Sequence, residues 1–292
     1  MNALRKAQEN KSYISKRILD CDLTELTIGC SGWSYPAWVG PFYPPGSHAD
    51  QWLQLYSRAF PAVEIDSTFY RIPDTGTVKN WRESVSDSFR FYPKLPKQIT
   101  HEYDFRNADS LIDSFIIALQ SLGTKLGTVL IQFPPSLTYT KGREWISILL
   151  RNLPSGVRYA VEFRHNSWFH EFTYSMLRNH EITLTWSEIP YAEIPAVLTS
   201  DEIYLRLVGD RSIGDSEIGT VLKDRSAEIR KWISEIEKNK DLVERVAIFS
   251  NNHFQGFGPA TVNLVRNALG LNSINWITAM QSISDKRQGT LF

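Results

Sequence analysis

The sequence predicts a parallel α/β chain that closes on itself as one eight-stranded (β/α)8 barrel. Three observations carry this expectation. Eight short apolar runs recur along the 292 residues. Their centres lie about 31 residues apart on average, close to what a strand, a crossover helix and two loops require. Most of the gaps between them carry apolar residues at helical spacing. This is the TIM barrel class, in which about 250 residues can form a single domain.

The runs, in order, are LTIGCSG (26–32), AVEIDSTFY (62–70), FRFYPKLP (89–96) and GTVLIQFPP (127–135). RYAVEFRH (158–165), EITLTWSE (181–188), EIYLRLVG (202–209) and RVAIFSNN (245–252) complete the set. Between them, ADQWLQLYSRAF (49–60) aligns Trp52, Leu55, Tyr56 and Ala59 on one helical face. NADSLIDSFIIALQSLG (107–123) places Leu111, Phe115, Ala118 and Leu122 together and stops at a glycine. SAEIRKWISEIEKNK (226–240) aligns Ile229, Trp232, Ile233 and Ile236. PATVNLVRNALG (259–270) opens on proline and closes on glycine, as helices tend to. The stretch IPYAEIPAVLTS is expected to be irregular, because Pro190 and Pro195 interrupt it.

An open doubly wound sheet is the rival architecture. It usually carries a glycine-rich phosphate loop after its first strand. Here that position reads GCSGWSYPAWVGPFYPPG, without GxGxxG and crowded with aromatic rings. Residues 26–292 are therefore expected to form the barrel. Residues 1–25 are expected to be an extension, helical or flexible.

Composition narrows the functional classes. Lys plus Arg and Asp plus Glu both number 32, so no global field gathers nucleic acid or anionic membrane, though a local basic groove stays open. Two cysteines, Cys21 and Cys30, exclude a disulfide framework and a CxxC metal motif. The basic first segment lacks the apolar centre of a signal peptide, and no stretch reaches about 18 apolar residues. A cytoplasmic protein is expected, with no membrane partner and no cofactor. The oligomeric state is left open.

Ligands of a barrel meet the C-terminal strand ends. There the apolar runs carry polar residues: Ser31, Trp33 and Tyr35; Glu64, Asp66 and Tyr70; Lys94 and His101; Gln132; Glu162, Arg164, His165 and Trp168; Arg206 and Asp210; Asn251, Asn252 and His253. Strand side chains alternate, so Glu64 shares a face with Asp66, and Glu162 with Arg164. An outward charge would lie under a helix; the lumen near its mouth is the cheaper place.

Two readings follow. In the first, Glu64 and Glu162 are an acid and a base across the lumen, with Lys94, Arg164 and Arg206 as counter-charges. His101 and His253 move protons, the arginines clamp a carboxylate or phosphate, and Trp33, Tyr70 and Trp168 stack on a sugar or base. In the second, the charges form a closed network of ion pairs, Glu162 with Arg206 and Glu64 with Lys94. The whole set favours a ligand site, since Leu and Val fill a lumen more easily than ions do. No compact metal motif occurs, but a site assembled from Glu64, Asp66, Glu162, Glu188, His101, His165 and His253 would be invisible by spacing. Cys30 has no neighbouring base in sequence and reads as core. Ser31 lacks the GxSxG elbow of a hydrolase nucleophile. Trp33, Trp38, Phe42 and Tyr43 lie in a Gly/Pro loop, over the mouth or simply covering it.

The stretches GCSGWSYPAWVGPFYP, VEIDSTFY, KLPKQITH, LIQFPPS, AVEFRHNSW, YLRLVG and SNNHFQG, in that order, resemble the DUF72 family, also called YecE-like proteins. The resemblance runs from about residue 27 to 270. It implies a TIM barrel and brings no established activity. It picks out Trp33, Tyr35, Trp38, Glu64, Thr68, Phe69, Tyr70, Lys94, His101, Gln132, Glu162, Arg164, His165, Trp168, Arg206, Asn251 and Asn252. By the same resemblance, Asp66 stands where the family commonly has Asn, and Val208 where it commonly has His.

The leading expectation is an enzyme using acid–base chemistry, hydrolysis or isomerisation, on a small polar, anionic or sugar-like substrate. A metal-dependent phosphodiester hydrolase or sugar isomerase is one alternative. A module binding nucleic acid or a nucleotide without turnover is another, and a scaffold or partner protein, with an empty, ion-paired lumen and a large exposed apolar patch elsewhere, is a third.

Overall fold

The computed structural model describes residues 25–102 and 108–281. The expected N-terminal extension, apart from Glu25, and Cys21 lie outside them. The eight apolar runs give nine strands. β1 (Glu25–Ser31), β2 (Ala62–Ile65), β3 (Arg90–Pro93), β4 (Val129–Gln132) and β5 (Tyr159–Glu162) fall inside the first five runs, extended by one residue at Glu25. The sixth run splits into β6 (Thr183–Leu184) and β7 (Trp186–Glu188), and β8 (Glu202–Leu207) and β9 (Arg245–Ser250) follow.

The split has a local cause. β6 pairs with β5, whereas β7 pairs with β8, so the chain changes neighbour at Thr185. The Thr185 amide still donates to the Val161 carbonyl of β5, at 2.9 Å.

Every strand pair is parallel. One sheet runs β3-β2-β1-β9-β8-β7 and a second runs β4-β5-β6. Single bridges join β3 to the start of β4, at Phe91 with Leu126 and Lys94 with Leu130. The protein is thus an α/β fold built on parallel sheets.

The helices pack outside the strands, each burying one stripe. Helix Ala49–Ala59 buries Trp52, Leu53, Tyr56 and Ala59, with Leu55 only partly covered. Gln51 Oε1 accepts from the His48 amide at its start, and Arg58 complements the dipole at its end. The 107–123 expectation resolves into helix Ala108–Leu119 and a 3-10 segment, Gln120–Lys125, that turns at Gly123 with φ +55°. Ser226–Asn239 and Gly258–Ala268 match their expected spans to within a residue or two. Helices Thr75–Glu83, Tyr139–Arg151 and Glu171–Asn179 fill gaps that the pattern left unassigned. The 189–200 stretch is irregular, as its prolines require.

Inside, the strands present their alternate residues in layers. Ala62, Tyr92, Leu130, Ala160, Tyr204, Ala247 and Phe249 form a compact apolar cluster. Two residues further along the same strand faces stand Glu64, Lys94, Gln132, Glu162 and Arg206, all buried. The polar layer therefore caps an apolar one, at the C-terminal ends of the strands.

Candidate functional site

Arg206 is the centre of the polar layer. Its Nε and Nη2 donate to Glu64 Oε2 and Oε1 at 2.8 and 2.7 Å, a planar fork on one carboxylate. Its Nη1 donates to Glu162 Oε2. One guanidinium thus bridges both glutamates. Ser31 Oγ and Tyr204 OH add bonds to Glu64 at 2.8 and 3.0 Å, and Lys94 Nζ lies 3.4 Å from Glu64 Oε1. Lys94 also pairs with Asp66. Arg164 donates through Nε to Glu162 Oε1 and through Nη2 to Gln132 Oε1, the latter at 2.9 Å.

Three carboxylates (Glu64, Asp66, Glu162) thereby face three cations (Lys94, Arg164, Arg206). Burial alone would push both glutamates up, because it disfavours the charged form. The surrounding cations reverse this. Arg164 and Arg206 hold Glu162 down at about 2, and Arg206 and Lys94 hold Glu64 well below the usual carboxylate range.

A cavity of about 270 Å³ opens above the layer. Of the residues the sequence singled out, ten line it: Tyr35, Asp66, Tyr70, Lys94, Gln132, Arg164, Arg206, Asn251, Asn252 and His253. Phe69, picked out by the family resemblance, and Val208 line it too. Glu64 and Glu162 do not reach it. Both carboxyl groups are sealed beneath the arginines, and the Arg206 guanidinium fills the gap in which a glycosidic bond would have to lie between two catalytic carboxyls.

Four further expected residues lie away from the cavity wall. His101 packs edge-on to Phe69 at 4.9 Å and bonds Thr100 Oγ1 through Nδ1 at 2.8 Å. Burial, then the nearby Arg164 charge, lower its pKa to about 4, so its imidazole is uncharged at neutral pH. His165 Nδ1 accepts from the Ser167 amide at 3.1 Å and caps the turn Asn166–Trp168. Trp168 is buried, stacked on Phe163 at 4.2 Å, with Nε1 donating to Leu137 O. Trp33 is half-buried and meets Trp81 edge-on at 5.6 Å. Trp168 is thereby covered on its face by Phe163, while His101, His165 and Trp33 are half-buried and held by neighbours outside the cavity wall. The aromatic loop behaves similarly: Trp38, Phe42 and Tyr43 are buried among Tyr56, Phe60 and Phe257.

The sequence reading passed over Arg211, Asp215 and Ile218, which also line the cavity. They lie in RSIGDSEIGT, a loop without periodicity, where only the density of charge was available as a signal. The loop is tied back at several points. Gly209 has φ +81°, and a Cβ there would lie 2.2 Å from His253 O, so only glycine permits this approach. Asp210 accepts from Lys223 Nζ at 2.7 Å and from the Ser212 amide at 3.0 Å. His253 Nδ1 lies 3.0 Å from Ile213 O and, because a carbonyl oxygen only accepts, donates to it.

The three carboxamides of the wall share one orientation. Gln132 Oε1 accepts from Arg164; Asn251 Oδ1 accepts from the His253 amide at 3.0 Å. Asn252 Oδ1 accepts from Trp38 Nε1 at 3.1 Å and from the Gly258 amide at 3.0 Å. Each oxygen is taken by the protein, so each NH2 is left to donate. For Asn252 this leaves a buried Nδ2 with no partner among the described residues. The wall is rich in donors by construction. Among the described residues no group of three or more His, Cys, Asp or Glu is placed to hold a metal ion. None of the described helices is long and apolar enough to cross a membrane.

The sequence profile of the family described as "Protein of unknown function DUF72" matches residues 27–284. The chain belongs to the DUF72 family. It is 33% identical over 147 residues to the UPF0759 protein YecE of Escherichia coli K12, covering 49% of this chain and 50% of that protein. The UPF0759 protein YunF of Bacillus subtilis 168 is 30% identical over 154 residues, 49% of this chain and 52% of YunF. This DUF72 chain thus spans about half the length of the curated relatives it matches. A DUF72 family crystal structure from Thermotoga maritima MSB8 superposes with a TM-score of 0.73 at 25% identity, covering 84% of this chain and 99% of that one. A DUF72 family structure from Enterococcus faecalis V583 gives 0.70 at 19% identity, covering 85% and 96%, and shares the fold.

Proposed function

We propose that this DUF72 protein is a cytoplasmic enzyme that binds a small, acceptor-rich polar or anionic substrate in the cavity and turns it over by acid–base chemistry. The observation that carries the reading is the common orientation of Gln132, Asn251 and Asn252, whose amide oxygens are all spent on the protein. A buried donor without a partner costs stability, and a ligand oxygen would supply the missing bond. The strands are read as one closed eight-stranded TIM barrel, with β6 and β7 counted as a single interrupted strand. The bridges from β3 to β4 and the parallel register throughout support this reading.

In this assignment Glu64 and Glu162 are positioning residues. They fix Arg206 and Arg164, and a carboxylate held ionised near pH 2 does not serve as a general acid at neutral pH. The wall groups able to exchange a proton with a bound substrate are Asp66 and His253. Lys94 and Arg164 stabilise negative charge that develops on it. Binding without turnover is the alternative, favoured by the closed charge lattice itself.

The test is untargeted. The purified protein is incubated with a metabolite extract and followed by mass spectrometry, beside Arg164→Gln and His253→Gln. Turnover of a polar substrate that both variants lose is expected. Turnover undiminished in both variants would overturn the assignment. Binding without conversion in the parent would leave the binding module.

A further inference from the structure

The charges of the cavity floor cancel. Lys94, Arg164 and Arg206 each contact a carboxylate, and Glu64, Asp66 and Glu162 are each contacted by a cation. His253 is bonded to a backbone carbonyl. Among the described residues, Arg211 is then the one cation of the wall without an ion-pair partner. It is exposed at the rim, on the loop after β8, and holds a left-handed backbone with φ +58°. A non-glycine residue seldom adopts that region, and such outliers concentrate at ligand clamps. Asp210 is tied to Lys223 and Arg225 on one side of it, and Ile213 to His253 on the other. The guanidinium is therefore presented from a fixed base.

We propose that the cavity selects a hydroxylated ligand carrying a single carboxylate, and that Arg211 receives that carboxylate. This rests on the reading of the cavity as the ligand site and adds the class of ligand. A planar guanidinium matches a carboxylate through two parallel bonds. One unneutralised cation suits one negative charge. A phosphate dianion would bring a second charge with no cation to meet it, beside the Asp215 carboxylate on the same wall. The amide donors of Gln132, Asn251 and Asn252 take the ligand's oxygens, and Asp66 and Asp215 accept from its hydroxyls. The cavity, at about 270 Å³, is just under the usual range for small-molecule sites, about 300–1,000 Å³.

The experiment is calorimetric titration of the full chain with D-gluconate, D-glucose and D-glucose 6-phosphate at fixed ionic strength. Gluconate is expected to bind about tenfold more tightly than either of the others, a difference of one decade in Kd. Arg211→Gln should remove that preference, bringing gluconate to within about twofold of glucose. Arg211→Lys should keep part of it, because it retains the charge without the fork. Asp215→Asn should strengthen gluconate binding, since it removes a like charge. If Arg211→Gln binds gluconate as the parent does, or if the 6-phosphate binds most tightly, the inference falls. Should Arg211→Gln be neutral while Arg164→Gln abolishes binding, only the inference fails and the cavity reading stands. If the parent binds none of the three at millimolar concentration, the inference falls, and the cavity reading is then decided by the metabolite-extract experiment alone.

Discussion

Glu162 and Glu202 are both inward-facing carboxyls on parallel strands, and both are almost completely buried. Their environments drive them in opposite directions. Glu162, at the C-terminal end of β5, meets two guanidiniums and is held down at about 2. Glu202, at the N-terminal end of β8, makes no ion pair among the described residues. Its two oxygens share the Thr128 hydroxyl, at 3.0 and 2.7 Å. Burial raises it to about 7, a rise that the Thr128 bond and the more distant charges of Arg158 and Arg245 only soften. Burial is common to the two sites; the difference is a guanidinium in contact. It follows that the upper layer is a fixed charge lattice, whereas the lower end holds a carboxyl that changes charge near neutrality.

The lattice half of this contrast is the easiest to break. Arg206→Met strips the fork from Glu64 and one bond from Glu162 and leaves two buried carboxylates short of charge. A loss of about 3–5 kcal/mol in urea unfolding is expected, as for the breaking of a buried pair. A loss below about 1 kcal/mol would mean that the carboxylates are not held as described. The next effect is on acid stability. Glu162 has its pKa depressed in the fold, so its contribution is complete above the unfolded value, near 4.5, and is lost as pH falls toward about 2. Glu162→Gln should flatten the pH dependence of stability across that window. An unchanged acid-unfolding profile would contradict the lattice.

Glu202 sharpens the contrast from the other side. Its pKa is raised in the fold, so between about 4.5 and about 7 the folded state binds more protons than the unfolded. Stability therefore falls as pH rises through that interval. Glu202→Gln should gain on the order of 1–3 kcal/mol at pH 8 and nothing at pH 4. An equal effect at both pH values would assign the change to packing instead. The smallest effect is expected at Tyr70, 65% exposed at the cavity wall. Tyr70→Ala should leave stability within about 0.5 kcal/mol while weakening ligand binding.

Much of this arrangement was legible in the sequence. Charges at every second position of apolar runs, as in AVEID and AVEFR, can lie together only on an inward face near the strand ends, and they do. Two levels were not legible. Alternation places Glu64 and Glu162 in one layer but cannot say that Arg206 lies between them and the cavity. That depends on the length of a guanidinium reaching across from β8. Nor does it separate a ring that faces ligand from one stacked on a neighbour, as Trp168 is on Phe163. Glu202 could have been found: it stands two and four residues before Tyr204 and Arg206, on the same face of β8. Arg211 and Asp215 could not, because their loop is placed by tertiary ties at Gly209, Asp210 and Ile213 rather than by any repeat.

The decisive measurement is a carbon-detected NMR titration of glutamate side chains labelled at the carboxyl carbon, assigned with Glu64→Gln, Glu162→Gln and Glu202→Gln. Glu64 and Glu162 should stay ionised from pH 8 down through pH 4, and Glu202 should titrate near 7. A midpoint for Glu64 or Glu162 between about pH 5 and 8 would restore them as an acid–base pair and contradict their role as fixed positioning charges.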